Sequence, residues 1–254
     1  LKKKIFSSIL RQVDHLVKNF SNLKRNSDLI RIIKALIYTS ISIPNKKYYY
    51  QIAIFNLKSE LSRQILSDGC HFQRNPEIHV KVLMDLLDIR AILNLTKKNV
   101  FFDLQNVIKN MSVACLFFLH KDNSLANFNG TDNVNQKEIK NVISEIPKLK
   151  KNPRELAESG FQRIDTKDTV VIVDCGIPQN YNATYKTHAY TAGFEISYKK
   201  KMVIINSAPG LKGNISKSTA AHSTLTLNNT NAYKILSNDH LSRIPESIKV
   251  KRVE

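Results

Sequence analysis

The stretch Asp68-Gly69-Cys70-His71-Phe72-Gln73-Arg74-Asn75-Pro76-Glu77-Ile78-His79 sets two histidines, an arginine and a glutamate around one glycine turn and one proline. It lies between two segments of strong helical periodicity, the setting in which a rigid scaffold presents a binding or catalytic loop. Imidazole titrates near neutral pH, so His71 and His79 are candidate general acids or bases. His79 follows Pro76 by three residues and falls in a first helical turn. The helix dipole disfavours imidazolium there, which leaves a neutral hydrogen-bonding group or a base. The structural alternative is that Arg74 and Glu77 pair at the surface while the histidines hold the loop. Two further histidines stand in strand-like sequence, His188 before Ala189-Tyr190 and His222 before Ser223-Thr224. Histidines on neighbouring strands can converge on a metal, and zinc would want a third protein ligand. Asn206, ending the strand after His188, could face the same point. The alternative makes each histidine an ordinary polar residue at a strand end. His15, His120 and His240 have no informative sequence neighbours.

The chain has 254 residues, 39 of them basic against 21 acidic, for a net charge of +18. Such a surface attracts polyanions: acidic polysaccharide, nucleic acid or anionic lipid. The lysines are scattered rather than set on one helix face, and no groove-reading motif accompanies them, so specific nucleic-acid binding is not expected. A hydrophobic content of 42% is that of a globular chain. No apolar run approaches the roughly 20 residues that span a bilayer. The N-terminal lysines precede neither a continuous apolar region nor a small-residue cleavage site, so no signal peptide is visible. Cys70, Cys115 and Cys175 form no CxxC and no even set, which argues against a disulfide framework or a thiolate zinc site.

The elements that must position these residues change character along the chain. Apolar residues recur at helical spacing through Leu10–Phe20, Leu29–Ile37, Tyr49–Ile65, Val82–Leu93 and about 101–120. The Asp68-Gly69 turn stops the third of these, and Pro76 suits the first turn of the fourth. Consecutive amphipathic helices with short connections pack as antiparallel hairpins. Residues 121–135 read as a loop and Glu138–Lys150 as a short charged helix or linker. Beyond Gly160 the apolar residues become β-branched runs bounded by turn residues. Thr169–Val173 reads as a buried strand, Gly193–Tyr198 and Met202–Ile205 as a hairpin, Ser223–Leu227 as an alternating strand and Tyr233–Leu236 as a weaker one. The reading is α+β in two domains: helical over 1–135, a linker over 136–158, and antiparallel β over 159–254. About five or six strands leave sheet edges uncovered, and the chain reads as a fragment of something longer.

Taken in order, these segments resemble the heparinase II/III-like polysaccharide lyases. The loop from Asp68 to His79 looks like their Asp-Gly-Gly…Ser/Asn-Pro…His signature. Ser124-Leu-Ala-Asn-Phe-Asn-Gly130 is similar to the segment closing their helical domain. Ser159–Ile164 with Val173-Asp-Cys-Gly176 looks like the start of their β-sandwich. His188-Ala…Gly-Phe-Glu195 and Ala221-His-Ser-Thr224 are similar to their His-Ala-Asp…Ser-Phe-Glu and Ala-His-Asn-Thr motifs. The resemblance covers most of residues 25–230. It implies the C-terminal helices of an (α/α) toroid followed by part of an antiparallel β-sandwich. It also implies β-elimination on uronic-acid polysaccharides, in which a base takes the proton α to a carboxylate that the protein neutralises. An acidic polysaccharide is the implied partner, and the cell envelope or periplasm the implied location. The sequence departs from the family at several positions: Ser27-Asp28 stands where relatives have Asn-His, Ile78 where they have a catalytic Tyr, and Lys186 where they have the first His of His-x-His. The substitute candidates are His71 and His79 for the base, Arg74 or Lys186 as the carboxylate neutraliser, and Gln73, Asn75 and Glu77 as substrate-binding groups. The family's structural zinc would fall on His188, Asn206 in place of an Asp, and His222. A carboxamide is a poorer zinc ligand than a carboxylate. On this view the loop and the two strand histidines would face one cleft. A member that lost its catalytic groups would be a binder of acidic glycans or a structural protein of the envelope.

Overall fold

Helical periodicity in the first half becomes α1 (Lys2–Lys18), α2 (Ser27–Ser42), α3 (Lys47–Gln64), α4 (Pro76–Leu95) and α5 (Phe102–Phe117), with a shorter α6 (Gln136–Glu145). The computed structural model describes residues 2–23, 26–131, 135–177, 187–206, 213–236, 241–245 and 248. The chain folds as two compact units. One comprises Leu1–Gln64 and Met84–Ile108, the other Ile65–Leu83 and Lys109–Glu254. The loop that carries His71 and Arg74 therefore belongs to the unit that contains the strands.

In the first unit, α2 buries Leu29, Ile30, Ile33, Leu36 and Ile37, an apolar stripe at helical spacing. On α3 the buried positions are Tyr49, Ala53, Leu57, Glu60, Leu61 and Gln64. Asn26 caps α2 by accepting from the Asp28 N–H at 3.1 Å. Asp28 then stands in the first turn, where a negative charge favours the helix dipole. The Ser27-Asp28 dipeptide that departs from the family thus begins a helix. Gln64 donates back to the Asn26 carbonyl at 2.9 Å, and Lys34 bridges Asp85 and Asp88.

The second unit is built on an antiparallel five-stranded sheet in sequence order. Its strands are β1 (Glu155–Leu156), β2 (Phe161–Asp165), β3 (Thr169–Asp174), β4 (Gly193–Tyr198) and β5 (Lys201–Ile204). A short pair, β6 (Lys234–Ile235) and β7 (Leu241–Ser242), follows. One face of the sheet is closed over aromatic packing: Phe118 meets Phe161 edge-on at 4.9 Å and Phe117 at 5.6 Å. That buried face also carries Arg163, Asp174 and Glu195, on strands whose alternation otherwise places Phe161, Val170 and Ile172 inward. The opposite face is apolar too. The register aligns Ile164, Val171, Ile196 and Ile204 in one row across β2 to β5, each at least partly exposed. A sheet apolar on both faces has the pattern of one layer in a stacked arrangement.

The segment Ser223–Leu227, expected to be a strand, is not one: it runs as bends, and only Leu227 bridges, to Thr230. Its Leu225 and Leu227 are exposed, and its backbone meets β4 only at Ser223, whose carbonyl accepts the Phe194 N–H at 3.1 Å, among the described residues. The tight point of the loop before α4 is Gly69, at φ +84°. A Cβ there would overlap the carbonyl oxygen of Asn110. Gly69→Ala should therefore lower stability by about 2 kcal/mol or more, from left-handed backbone strain together with the clash. Chemical denaturation checks this; an unchanged midpoint would contradict it.

Candidate functional site

The Asp68–His79 loop is assembled by its own polar groups before it meets anything else. Asp68 Oδ1 accepts the Cys70 N–H at 2.9 Å, and its Oδ2 accepts both the N–H and the hydroxyl of Ser159, at 2.6 and 2.8 Å. Leu66 N–H donates to the Cys70 carbonyl at 2.9 Å. Asn75 is the cap of α4: its Oδ1 accepts the Ile78 N–H at 2.9 Å, while its Nδ2 donates to the Asn129 carbonyl at 2.8 Å. The expected first turn after Pro76 is present, and His79 sits in it.

Arg74 is the centre of the loop. It is 2% exposed and its backbone is left-handed, φ +53°. Nε donates to the Ser159 carbonyl at 2.7 Å, Nη1 to the Ile177 carbonyl at 2.9 Å, and Nη2 pairs with Asp174 Oδ1. The guanidinium also lies over the Phe161 ring, 5.0 Å from its centroid. The other oxygen of Asp174 accepts from Asn129 Nδ2 at 2.9 Å and from the Tyr190 hydroxyl at 3.1 Å. Tyr190 is fully enclosed; burial first, and then the Asp174 charge, push its phenol well above the usual value. The surface pair of Arg74 with Glu77, named above as the structural alternative, does not form. Arg74 pairs with Asp174, and Glu77, itself buried, pairs with Lys81 one helical turn away.

Neither loop histidine reaches solvent. His79 Nδ1 accepts the His71 N–H at 3.3 Å, so Nε2 carries the proton and donates to the Met111 carbonyl at 2.9 Å. Both ring nitrogens of a neutral His79 are thereby occupied. Burial lowers its pKa to about 4, against smaller raising effects of Met111 and Asp68. His71 Nδ1 accepts the Gln73 N–H at 3.3 Å, and burial, with His79 beside it, lowers its pKa to about 3. A general base needs an accessible lone pair at the proton it removes. The geometry here instead makes His71, His79 and Arg74 framework groups of the loop. The same burial pushes the Cys70 thiol up, away from reactivity. Lys186 lies outside the described residues.

The strand histidines do come together. His188 Nδ1 and His222 Nε2 are 3.1 Å apart, and His222 Nδ1 is 2.8 Å from Asn206 Oδ1. Burial lowers the two imidazoles to about 3 and about 4; a neighbouring His222 and Lys217 add to the effect at His188. Asn206, expected as a third ligand, is aimed at the outer nitrogen of His222 rather than at the point where the two imidazoles meet. Among the described residues no group of three His, Cys, Asp or Glu side chains is placed to hold a metal ion.

Sequence reasoning passed over His120. It is buried, with Nε2 3.0 Å from Glu195 Oε2 and Nδ1 2.9 Å from Ser197 Oγ. Glu195 also accepts the N–H groups of Asn127 and Asn206 at 3.2 and 2.8 Å. Asp174 as the partner of Arg74, and Asn129 and Tyr190 as partners of Asp174, were equally missed. The available signal was the period-two alternation of β3 and β4, which turns Asp174 and Glu195 inward and so requires buried partners for them.

Comparison with known proteins adds two family matches. Residues 3–156 match the heparinase II/III N-terminus and residues 148–253 the heparinase II/III-like C-terminal region. A heparan sulfate lyase from Pedobacter heparinus aligns with a TM-score of 0.66 at 17% identity, over 90% of this chain and 41% of that one. A heparinase III aligns with a TM-score of 0.69 at 17% identity, over 87% of this chain and 40% of that one. FtsZ-localized protein C of Caulobacter vibrioides is 29% identical over 152 residues, 60% of this chain and 26% of that protein. The chain thus spans less than half the length of each of these relatives.

The neutral histidines make stability depend on pH. Their folded-state pKa values lie below the unfolded value near 6.5, so the unfolded chain binds more protons between the two. The stabilisation is fully present above pH 6.5 and is lost as pH falls toward about 4. Each buried imidazole should contribute a slope on the order of 1 kcal/mol per pH unit there. Urea denaturation between pH 7 and pH 4 should show a steep fall that is shallower for His79→Gln. Equal slopes for wild type and variant would contradict the assignment.

Proposed function

As the chain belongs to the heparinase II/III-like family, we propose that it binds acidic polysaccharides on a lyase fold without cleaving them through its Asp68–His79 loop. The observation that carries this is the enclosure of His71, His79 and Arg74. The groups that could replace the missing phenol at Ile78 are buried away from a sugar, and the polar atoms of His79 and Arg74 are engaged by His71, Met111, Ser159 and Asp174. β-Elimination needs a base at the α-proton and a cation at the carboxylate, and this loop presents neither.

Retention of an anionic partner is supported by charge. The β2–β3 and β4–β5 turns lie side by side, with Lys199 N–H donating to the Asp168 carbonyl at 2.6 Å. Lys167, Lys199, Lys200 and Lys201 are exposed there. Asp165, at the same end, is already matched by Lys121 at 2.7 Å and Arg163 at 2.9 Å. That end of the sheet is electropositive and solvated, which suits a flexible sulfated or carboxylated chain held by salt-sensitive contacts. No described helix is long and apolar enough to cross a membrane. Placement at the cell envelope, where acidic glycans occur, is part of this proposal. The likeness to an FtsZ-localized protein is compatible with an envelope role in division.

Full-length protein incubated with a panel of uronic-acid polymers should give no rise in ultraviolet absorbance from unsaturated product, while still binding heparin-like polymer at low salt. Steady product formation that His71→Ala or His79→Ala abolishes would overturn the reading. Reversing charge with Lys199→Glu and Lys200→Glu should weaken binding several-fold and flatten its salt dependence. Reversal at Lys4 and Arg11 on α1 should not.

A further inference from the structure

The family resemblance implies a structural zinc at the positions of His188, Asn206 and His222, and the donor set here can be tested for it. Structural zinc takes four ligands, and His and carboxylate or thiolate groups provide them. The carboxamide of Asn206 is oriented by its neighbours. Its Oδ1 accepts the Ser223 N–H at 3.3 Å, a group that can only donate, and it faces His222 Nδ1 at 2.8 Å. The proton of that second contact therefore sits on His222 Nδ1. With that proton on Nδ1, His222 Nε2 is the acceptor and His188 Nδ1 carries the proton between them, while the Ser216 backbone is a further hydrogen-bond partner of the His222 ring. Each contact has one donor and one acceptor with every imidazole neutral. The lone pair that would face a metal from His222 is used by His188. The remaining Asn206 group, Nδ2, is a buried donor with no hydrogen-bond partner among the described residues, and an amide nitrogen offers no lone pair to a cation.

The surroundings fit the same arrangement. Ala189, next to His188, donates to the Lys217 carbonyl at 2.8 Å, which ties the segment before β4 to the one before His222. Asn206 is held from behind by Glu195, whose Oε1 accepts its backbone N–H at 2.8 Å. Tyr190 stacks on His222 with ring centroids 4.4 Å apart.

We infer that the zinc position of the family is replaced in this chain by a metal-free hydrogen-bonded lock, His188 to His222 to Asn206, and that Asn206 is the residue that makes the replacement. The lock joins the segment before β4, the end of β5 and the segment after Ala221 without an ion. It is independent of whether the protein binds or cleaves a glycan.

The test uses full-length protein purified with zinc present and then exchanged into metal-free buffer. Wild type should retain far less than one zinc per chain, and chelator should leave its melting temperature unchanged. Nitrogen NMR should find both His188 and His222 with the proton on Nδ1. Asn206→Asp should gain zinc binding and a zinc-dependent rise in melting temperature of several degrees. Stoichiometric zinc in wild type, or an unprotonated His188 Nδ1, would overturn the lock. Absence of zinc gain in a folded Asn206→Asp variant would overturn the assignment to Asn206. If that variant does not fold, the tautomers of wild type still decide the matter.

Discussion

The constraint on which the strand-bearing unit depends is the pairing of two buried charges, Arg74 and Asp174. An ionised carboxylate on the inner face of β3 is costly unless a cation and further donors surround it. Arg74 supplies the cation, and Asn129, Tyr190 and the Gly176 N–H supply the donors. To reach that point the arginine must lie in a left-handed turn, which the Asp68–Ser159 contacts and the Asn75 cap fix from either side. Gly176 has room for no side chain because the guanidinium and the Ser159 carbonyl lie against it. Loop, cap, strand end and the segment around Asn129 are therefore one polar structure, closed over the phenylalanine cluster.

This explains how a loop so rich in catalytic residue types can be without catalytic exposure. Its histidines serve as neutral hydrogen-bonding groups between backbone segments, and its arginine neutralises a carboxylate of the protein rather than one of a sugar. A second buried polar group, His120 with Glu195 and Ser197, performs the corresponding task on β4 and hands a backbone contact on to Asn206. The lysines of the β2–β3 and β4–β5 turns face water, and such cations are suited to holding a polyanion without acting on it.

Much of the architecture was legible in the sequence because it rests on periodicity. The stripes of α2 and α3, the Pro76 start of α4, and the alternation of β3 and β4 all correspond to observed elements. What was less legible was partnership. Sequence spacing suggested Arg74 with Glu77, a near neighbour in the loop, whereas the structure pairs it with a residue a hundred positions away. The strand pattern at Ser223–Leu227 failed because a strand needs a ladder, and the segment has one backbone contact to β4, from the Phe194 N–H to the Ser223 carbonyl at 3.1 Å, with no ladder among the described residues. His120 looked uninformative because its partners come from a strand far along the chain. The inward-facing Asp174 and Glu195 could have raised the question of partners, although not the answer. The zinc set was read from residue types, and the tautomers that argue against it depend on which nitrogen faces which donor.

The most direct measurement is a double-mutant cycle on the buried pair, with Arg74→Met, Asp174→Leu and the double variant compared by equilibrium denaturation. Each single substitution is expected to cost about 3–5 kcal/mol, because it strands a buried charge. The double variant should cost much less than their sum, with a coupling toward the upper end of the usual range of about 0.5–3 kcal/mol. Small and additive losses, below about 1 kcal/mol each as for an exposed ion pair, would show that Arg74 is free for another task and would contradict its role as the buried partner of Asp174.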